Sequence, residues 1–308
     1  MRIQILGSAA GGRFPQWNCG CGNCVAVRKK KFAGKARTQA QLALSADGST
    51  WFLAGASPDL AFQIESAPEL HPRPLRDTLR DSPIAGLVLG SADLDHVVGL
   101  LLLRELQPLR VYVAPSILRI LREENSMFGM LNRVDPQVVW TPMKSDAPFP
   151  MLSVDEDEEE SGLRCEVHYL SGRYPKYVKT KDLARNEATA ALFFESASKK
   201  RVAYVPAVGT LSDALLEKMH RADLLLFDGT FWSDDELQRL QGSSETAYEM
   251  GHIPVQESLH LLKRIKVGRK MFIHLNNTNP ILNEASPENK AVRQAGWELA
   301  EDNWQLEL

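Results

Sequence analysis

Residues 84–103 read IAGLVLGSADLDHVVGLLLL. The apolar run at 84–89 predicts a buried strand, and residues 97–105, which are apolar up to Leu103, predict a helix. The polar loop between them ends in Asp95 and His96. Ligands of α/β proteins gather where a strand runs through a loop into a helix. This junction is therefore the first candidate for a functional site.

The alternation of strand and helix repeats along the chain and is typical of α/β layering. We predict a single domain over residues 1–308, made of two similar halves packed sheet against sheet. The remaining predicted strands are 2–7, 41–46, 50–56, 111–114, 164–170, 189–196, 201–205, 224–227 and 270–275, and the remaining helices are 58–65, 115–123, 211–222 and 255–265.

Composition excludes several classes of protein. The net charge of −3 leaves no dominant basic surface, which argues against general nucleic-acid binding. No uncharged apolar run approaches the roughly 18 residues of a membrane span, and residues from Met1 onward lack the layout of a secretory signal. We expect a cytoplasmic protein. The acidic run at 155–160 predicts an exposed loop, because its like charges repel one another.

Three of the four cysteines crowd into the segment CGCGNC, as Cys19, Cys21 and Cys24. They are too close for mutual disulfides of normal geometry, and the glycines let three sulfurs face one point about 2.3 Å from a zinc ion. We predict a zinc clip at about residues 18–25, whose fourth ligand comes from elsewhere. A redox trio and free structural cysteines are the alternatives. Cys165 lies in a predicted strand and is expected in the core.

The junction after residue 89 resembles that of metallo-β-lactamase-fold proteins, which carry H-x-H-x-D-H there. In that family the two leading histidines hold one metal of a pair, and the Asp-His end holds the other together with a late histidine. Here Ser91 and Asp93 stand where the leading histidines would be, whereas Asp95 and His96 keep the Asp-His end. The resemblance therefore implies that the second metal is kept and puts the first in doubt.

Short segments along almost the whole chain resemble, in order, those of the coenzyme PQQ synthesis protein B family within this superfamily. The resemblance implies an αββα four-layer sandwich. It places Asp228 where two-metal relatives have a bridging acid, and His274 where they have the final histidine ligand. The segments are GSAAGG at 7–12, FPQWNC at 14–19, ASPD at 56–59, FDGTFW at 227–232, MGH at 250–252 and HLNNTNP at 274–280.

Two further residues take an expected role from fold relatives. His252 stands where phosphodiester-cleaving relatives place a proton-donating histidine, although simple capping of the following helix is the alternative. Asn277 stands where relatives with the same cysteine cluster place a histidine. An amide oxygen there is a candidate fourth zinc ligand, with water as the alternative.

Asp95, His96 and His274 offer one carboxylate and two imidazoles, a set that suits a single Fe(II) with open positions for dioxygen and substrate. The same set could hold zinc. Asp95 could instead cap the helix, and either histidine could be a hydrogen-bonded core residue. The cysteine clip could also borrow His274.

The family resemblance implies a function in the biosynthesis of pyrroloquinoline quinone (PQQ). We expect an iron-dependent oxygenase that hydroxylates the tyrosine ring of a cross-linked Glu-Tyr intermediate cut from a precursor peptide. Asp228 would position water or substrate, and His252 would assist proton movement. Two alternatives remain: a non-enzymatic carrier of PQQ or its precursor toward the periplasm, and a mononuclear zinc hydrolase.

Overall fold

The structure, a computed structural model, describes residues 1–73, 79–133, 137–154 and 159–308. The backbone divides into two compact units, and the single domain over 1–308 stays a prediction. The first unit comprises Met1–Leu6, Gln41–Lys200 and Asn303–Leu308, and the second comprises Gly7–Ala40 and Arg201–Asp302.

The described strands are β1 (Arg2–Gly7), β2 (Gln41–Ser45), β3 (Trp51–Ala54), β4 (Ile84–Leu89), β5 (Leu109–Val113), β6 (Val138–Pro142), β7 (Phe149–Leu152), β8 (Glu160–Leu170), β9 (Thr189–Ser196), β10 (Arg201–Val205), β11 (Leu224–Asp228), β12 (Arg269–Ile273), β13 (Glu298–Leu299) and β14 (Trp304–Glu307). The described α-helices are α1 (Gly22–Arg28), α2 (Leu60–Glu65), α3 (Leu94–Val97), α4 (Pro115–Arg119), α5 (Asp213–Met219), α6 (Glu236–Gln241), α7 (Val255–Leu261) and α8 (Pro287–Gln294).

The first unit contains a mixed sheet in the order β14-β1-β2-β3-β4-β5-β6. Its strands β3 to β6 are parallel, and β1 pairs with β14 antiparallel. Strands β2 and β3 form a hairpin, in which Gly48 adopts a φ of +80° and Asp47 accepts hydrogen bonds from the Ser49 and Thr50 amides. The same unit holds an antiparallel ladder of β7, β8 and β9.

The inner parallel strands β3, β4 and β5 are buried almost along their whole length, whereas the edge strand β6 is only partly buried. Burial on both faces explains why the inner strands are mostly apolar. Leu53, Leu87 and Val111, from three neighbouring strands, are fully buried in one apolar cluster. Residues 155–158 of the acidic run lie outside the described residues, and Glu160 begins β8.

The helix after β4 differs from the prediction. It begins at Leu94 rather than at 97, with Asp93 at the N-cap position, so the alternative in which Asp95 caps the helix is wrong. It then continues as a 3-10 helix, Val98–Leu103. Within this 3-10 helix the backbone of Gly99 closely approaches a neighbouring segment, because a Cβ there would lie 2.1 Å from the main-chain oxygen of Ser57.

The second unit is built on four parallel strands in the order β10-β11-β12-β13. Phe227 and Phe272 pack with Trp297 in its core, where the rings of Phe272 and Trp297 stack at 4.3 Å. Asp228 ends β11 and His274 directly follows β12. The carboxyl ends of neighbouring parallel strands lie at one edge of a sheet, so both residues are brought to that edge.

In the part of the chain that the structure describes, we find no helix with the length and apolar character to cross a membrane.

Candidate functional site

The three cysteines of the predicted clip meet in the second unit. Their sulfurs all lie within 4.8 Å of one another. Cys21 is the N-cap residue of α1, and Cys24 is buried in the first turn of that helix. The main-chain N–H of Cys21 also points back to the Cys19 sulfur at 3.4 Å. Because three sulfurs facing one point match the donor set of a structural zinc ion, these residues fit the predicted zinc site.

Asn277 closes the fourth side of this cluster. Its Nδ2 atom lies 3.1 Å from the sulfur of Cys19, 3.6 Å from that of Cys21 and 3.3 Å from that of Cys24. Rotating the amide by half a turn would put Oδ1, a metal ligand, in the same place. The geometry thus suits Asn277 as the fourth ligand, which stays a prediction.

The thiols of the cluster differ in acidity. Burial alone would raise the pKa of Cys19, but hydrogen bonds from Cys21, Cys24 and Asn277 outweigh it and lower that pKa. Burial instead raises the pKa of Cys21 to about 11. The first negative charge of the metal-free cluster is therefore expected on Cys19. Cys165 is fully buried in β8, as expected of a core residue.

Asp228 lies at the centre of a second cluster in the same unit. Its side chain is fully buried and each carboxylate oxygen accepts two hydrogen bonds. Oδ2 accepts from the Val208 amide at 3.0 Å and from His252 Nδ1 at 2.8 Å. Oδ1 accepts from the amide and the hydroxyl of Thr230, at 3.0 and 2.7 Å. Asp228 is thus placed to orient its protein neighbours.

His252 and His274 face this carboxylate from two different segments. Their rings stack with centroids 5.6 Å apart, and both residues are buried. One ligand atom from each of Asp228, His252 and His274 lies within 4.8 Å of the others. The structure therefore brings the two residues predicted as catalytic together with the histidine predicted as a metal ligand.

His274 adopts a φ of +60°, the left-handed region that non-glycine residues rarely occupy. The next residues hold the chain in place, because the Leu275 amide donates to Ser8 and the Ala10 amide donates to Leu275, each at 2.9 Å. Such backbone strain persists only where the surrounding structure fixes it, and it is common at functional sites.

Asp95 and His96 lie in the first unit. The carboxylate of Asp95 is 3.8 Å from Nε2 of His96, and His96 is buried. The main-chain oxygen of His96 accepts from the Ala56 amide at 2.8 Å, which ties the helix to the loop after β3. The meeting of these two residues with His274, which belongs to the second unit, stays a prediction.

Ser91 and Asp93 pair with each other. The Ser91 hydroxyl donates to Asp93 Oδ2 at 2.5 Å, and the Asp93 amide donates to the Ser91 hydroxyl at 3.0 Å. Neither residue supplies an imidazole, and both make local hydrogen bonds instead. The donor chemistry at this junction thus suits one metal better than a pair.

Three residues of the second unit contact the site but were not predicted from the sequence. Thr230 contacts Asp228 and both histidines, and Asn279 donates to the main-chain oxygens of Gly229 and Thr230. Glu236 is buried beside the 276–279 loop. Burial raises its pKa to about 7, although Thr278 and the Trp232 amide donate hydrogen bonds to it. The sequence signal for all three was limited to their nearness to the predicted site.

Comparison with known proteins identifies the fold and the family of the chain. Residues 50–275 match the family model described as a beta-lactamase superfamily domain. The chain has the metallo-β-lactamase fold, with two mixed β-sheets flanked by helices, and the predicted α/β fold class is confirmed.

Coenzyme PQQ synthesis protein B from Methylobacterium radiotolerans is 38% identical over 314 residues, and the match covers 100% of both chains. The protein of that name from Nitrosococcus oceani is 39% identical over 316 residues, again covering 100% of both. The crystal structure of zinc-bound PqqB from Methylobacterium extorquens superposes with a TM-score of 0.90 at 37% identity, covering 100% of both chains. The chain belongs to the coenzyme PQQ synthesis protein B family and so to PQQ biosynthesis.

Proposed function

We propose that the chain is an Fe(II)-dependent oxygenase that hydroxylates the tyrosine ring of a cross-linked Glu-Tyr intermediate in PQQ biosynthesis. The observation that carries this proposal is the buried arrangement of His252 and His274 around Asp228, in a chain of this family. We place the reaction in the cytoplasm, where the clip thiols would stay reduced.

Asp95, His96 and His274 would hold the iron. Two imidazoles and one carboxylate are the donor set of mononuclear Fe(II) oxygenases. Iron, when bound, supplies the activation of dioxygen. Each hydroxylation places one oxygen atom of O2 on the ring and the other in water, and it takes two electrons from an added reductant.

His252 would move the proton. Its Nδ1–H donates to Asp228, so the lone pair of the neutral ring lies on Nε2, where it can accept a proton from the substrate. The buried carboxylate then stabilises the imidazolium that forms. We therefore assign Asp228 to orienting and stabilising His252 instead of contacting water directly.

The test is oxygen consumption by purified protein that carries zinc in the clip and Fe(II) added without air. The substrate is the cross-linked Glu-Tyr fragment and the reductant is ascorbate. We expect dioxygen uptake that depends on the substrate, together with a product that has gained oxygen by mass. Protein loaded with zinc alone is the control and should consume none. Failure of the iron-loaded protein to consume oxygen would contradict the proposal.

Metal analysis of two variants checks that the metal sites are separate. Cys21→Ala should lose the clip metal and keep the other, whereas His96→Ala should show the opposite loss. A single loss common to both variants would instead indicate that the clip and the proposed iron site share ligands.

The same protein separates the two alternatives. A carrier would bind PQQ tightly even when Asp95 and His96 are both replaced by alanine, whereas the oxygenase should lose turnover when either is replaced. A zinc hydrolase would cleave generic phosphodiesters when loaded with zinc only.

A further inference from the structure

The hydroxyl of Thr230 is the shared hydrogen-bond partner of three side chains. Its Oγ1 atom lies 2.7 Å from Asp228 Oδ1, 3.1 Å from His252 Nδ1 and 2.9 Å from His274 Nδ1. Thr230 is itself buried. The three contacts come from different segments of the second unit, so one hydroxyl joins them all.

The positions of the protons in this group follow from counting donors and acceptors. A hydroxyl has one proton to donate and two lone pairs that accept. Asp228 Oδ1 also accepts a hydrogen bond from the Thr230 amide and therefore acts as an acceptor. The hydroxyl proton of Thr230 then points to Asp228. Both lone pairs of Oγ1 then face ring nitrogens, which must each carry a proton.

We propose that Thr230 is a positioning residue that fixes the tautomer of His274, and helps to fix that of His252, so that each ring presents the lone pair of Nε2. The proposal rests on the proposed metal-binding role of His274 and does not depend on the reaction. A ring nitrogen that binds a metal needs a lone pair, and the bond made by the other nitrogen determines which one has it.

His252 has a second partner for its Nδ1 proton. His252 Nδ1 has a second and shorter contact, 2.8 Å to Asp228 Oδ2. His274 Nδ1 contacts the Thr230 hydroxyl at 2.9 Å. Because Asp228 holds the Nδ1 proton of His252 even without the hydroxyl, His252 should keep its tautomer when the hydroxyl is removed, and it serves as an internal control.

The main chain of Thr230 is held firmly enough for this role. Its carbonyl oxygen accepts from the Asn276 amide at 3.1 Å and from the Asn279 side chain at 3.2 Å. Its amide donates to Asp228. None of these bonds involves the hydroxyl, so the loop is expected to keep its course when the hydroxyl alone is removed.

The first test is nitrogen-15 NMR of the histidine rings in protein that carries zinc in the clip and has no metal added beyond that. In the wild type, both His252 and His274 should be Nδ1–H tautomers at a pH where the rings are neutral. Thr230→Val has the shape of threonine without its hydroxyl and should move His274 toward the Nε2–H tautomer, while His252 keeps Nδ1–H. Thr230→Ser restores the hydroxyl and should restore the wild-type spectrum.

The second test is the affinity for added Co(II), measured by competition with a chelator. Loss of a hydrogen bond behind a metal-bound histidine weakens metal binding by about 10- to 100-fold, and we expect that loss in Thr230→Val. Thr230→Ser should bind as the wild type does, and the clip metal should stay in both variants. Thr230→Ala also lacks the hydroxyl and replaces the valine variant if that variant does not fold.

The outcomes distinguish this inference from the proposed function. An unchanged His274 tautomer and unchanged Co(II) affinity in Thr230→Val would overturn the role of Thr230. Absence of oxygen consumption by the iron-loaded wild type would overturn the oxygenase instead.

Discussion

The side-chain amide of Asn23 donates a hydrogen bond of 3.1 Å to the main-chain oxygen of Asn279 and another of 3.2 Å to that of Asn277. The Asn279 side chain in turn donates to the main-chain oxygens of Gly229 and Thr230, at 2.9 and 3.2 Å. Two asparagines thus link the cysteine segment to the loop that follows β11. Within the second unit, these hydrogen bonds connect the cysteine clip with the cluster around Asp228.

Replacing Asn23 by alanine should lower both the stability of the protein and the hold of the clip on its zinc. The main-chain oxygens of Asn277 and Asn279 each lose one of their donors, which costs about 1 to 2 kcal/mol where water reaches them only partly. We expect the free energy of unfolding in urea to fall by this amount, and the clip zinc to pass more readily to a chelator. Asn18→Ala, at an exposed position in the same segment, is the control and should leave both quantities unchanged.

Replacing Asp228 by asparagine should be far more costly. Each carboxylate oxygen of Asp228 accepts two hydrogen bonds. In the asparagine variant an NH2 group replaces one of these oxygens and faces two hydrogen-bond donors, with which it cannot pair. Breaking such a buried charged network costs about 3 to 5 kcal/mol. Urea unfolding measures the loss, and Glu217→Gln, an exposed change of equal charge in α5, should stay within about 0.5 kcal/mol of the wild type. A small change in the free energy of unfolding in Asp228→Asn would show that the carboxylate does not accept these four hydrogen bonds as an ion.

The local parts of the site could be predicted from the sequence. The spacing of Cys19, Cys21 and Cys24 confines three sulfurs to a small volume, whatever the rest of the fold does. Asp228 and His274 were identified through the resemblance of their segments to those of the family, and the parallel strands β11 and β12 explain why the fold brings them together. The α/β class was predictable from the alternation of strands and helices along the chain.

The hydrogen-bond partners of these residues could not be predicted. Thr230 matters because its hydroxyl meets rings from two distant segments, and no local pattern encodes that meeting. The start of α3 was misplaced because Leu94, Asp95 and His96 precede the apolar run that begins at 97, and hydropathy reports only that run. Local propensity therefore located the functional segments, while packing fixed their details.

The buried carboxyl of Glu236 should make stability depend on pH. Its pKa is raised by burial to about 7, with Arg239 lowering it and Asp235 raising it. A carboxyl whose pKa is higher in the folded state binds more protons there, so its contribution to stability is lost as pH rises from about 4.5 to about 7.

Glu236→Gln imitates the protonated carboxyl and should remove this dependence. Relative to the wild type, the variant should gain stability between pH 5 and pH 8, by up to about 3 kcal/mol for a shift of this size. Urea unfolding at both pH values measures the gain, and Glu217→Gln should show a difference that does not vary with pH. A difference of the same size at both pH values would mean that Glu236 stays ionised throughout.

The close approach of Gly99 predicts the most severe substitution in the first unit. The Gly99 amide donates to the Ala56 oxygen at 2.8 Å, and the Ala56 amide donates to the His96 oxygen at 2.8 Å, so this contact holds the helix that carries His96. A Cβ at Gly99 would lie 2.1 Å from the Ser57 oxygen, and because that atom is backbone the two segments must separate. Gly99→Ala should therefore destabilise the protein by about 3 kcal/mol, and it should weaken metal binding through His96. The matched control is Gly129→Ala in the 3-10 helix Ser126–Asn132, where an added Cβ meets nothing within 4 Å. Urea unfolding and metal content are measured for both variants. Equal stability of Gly99→Ala and Gly129→Ala would show that the two segments are not in tight contact.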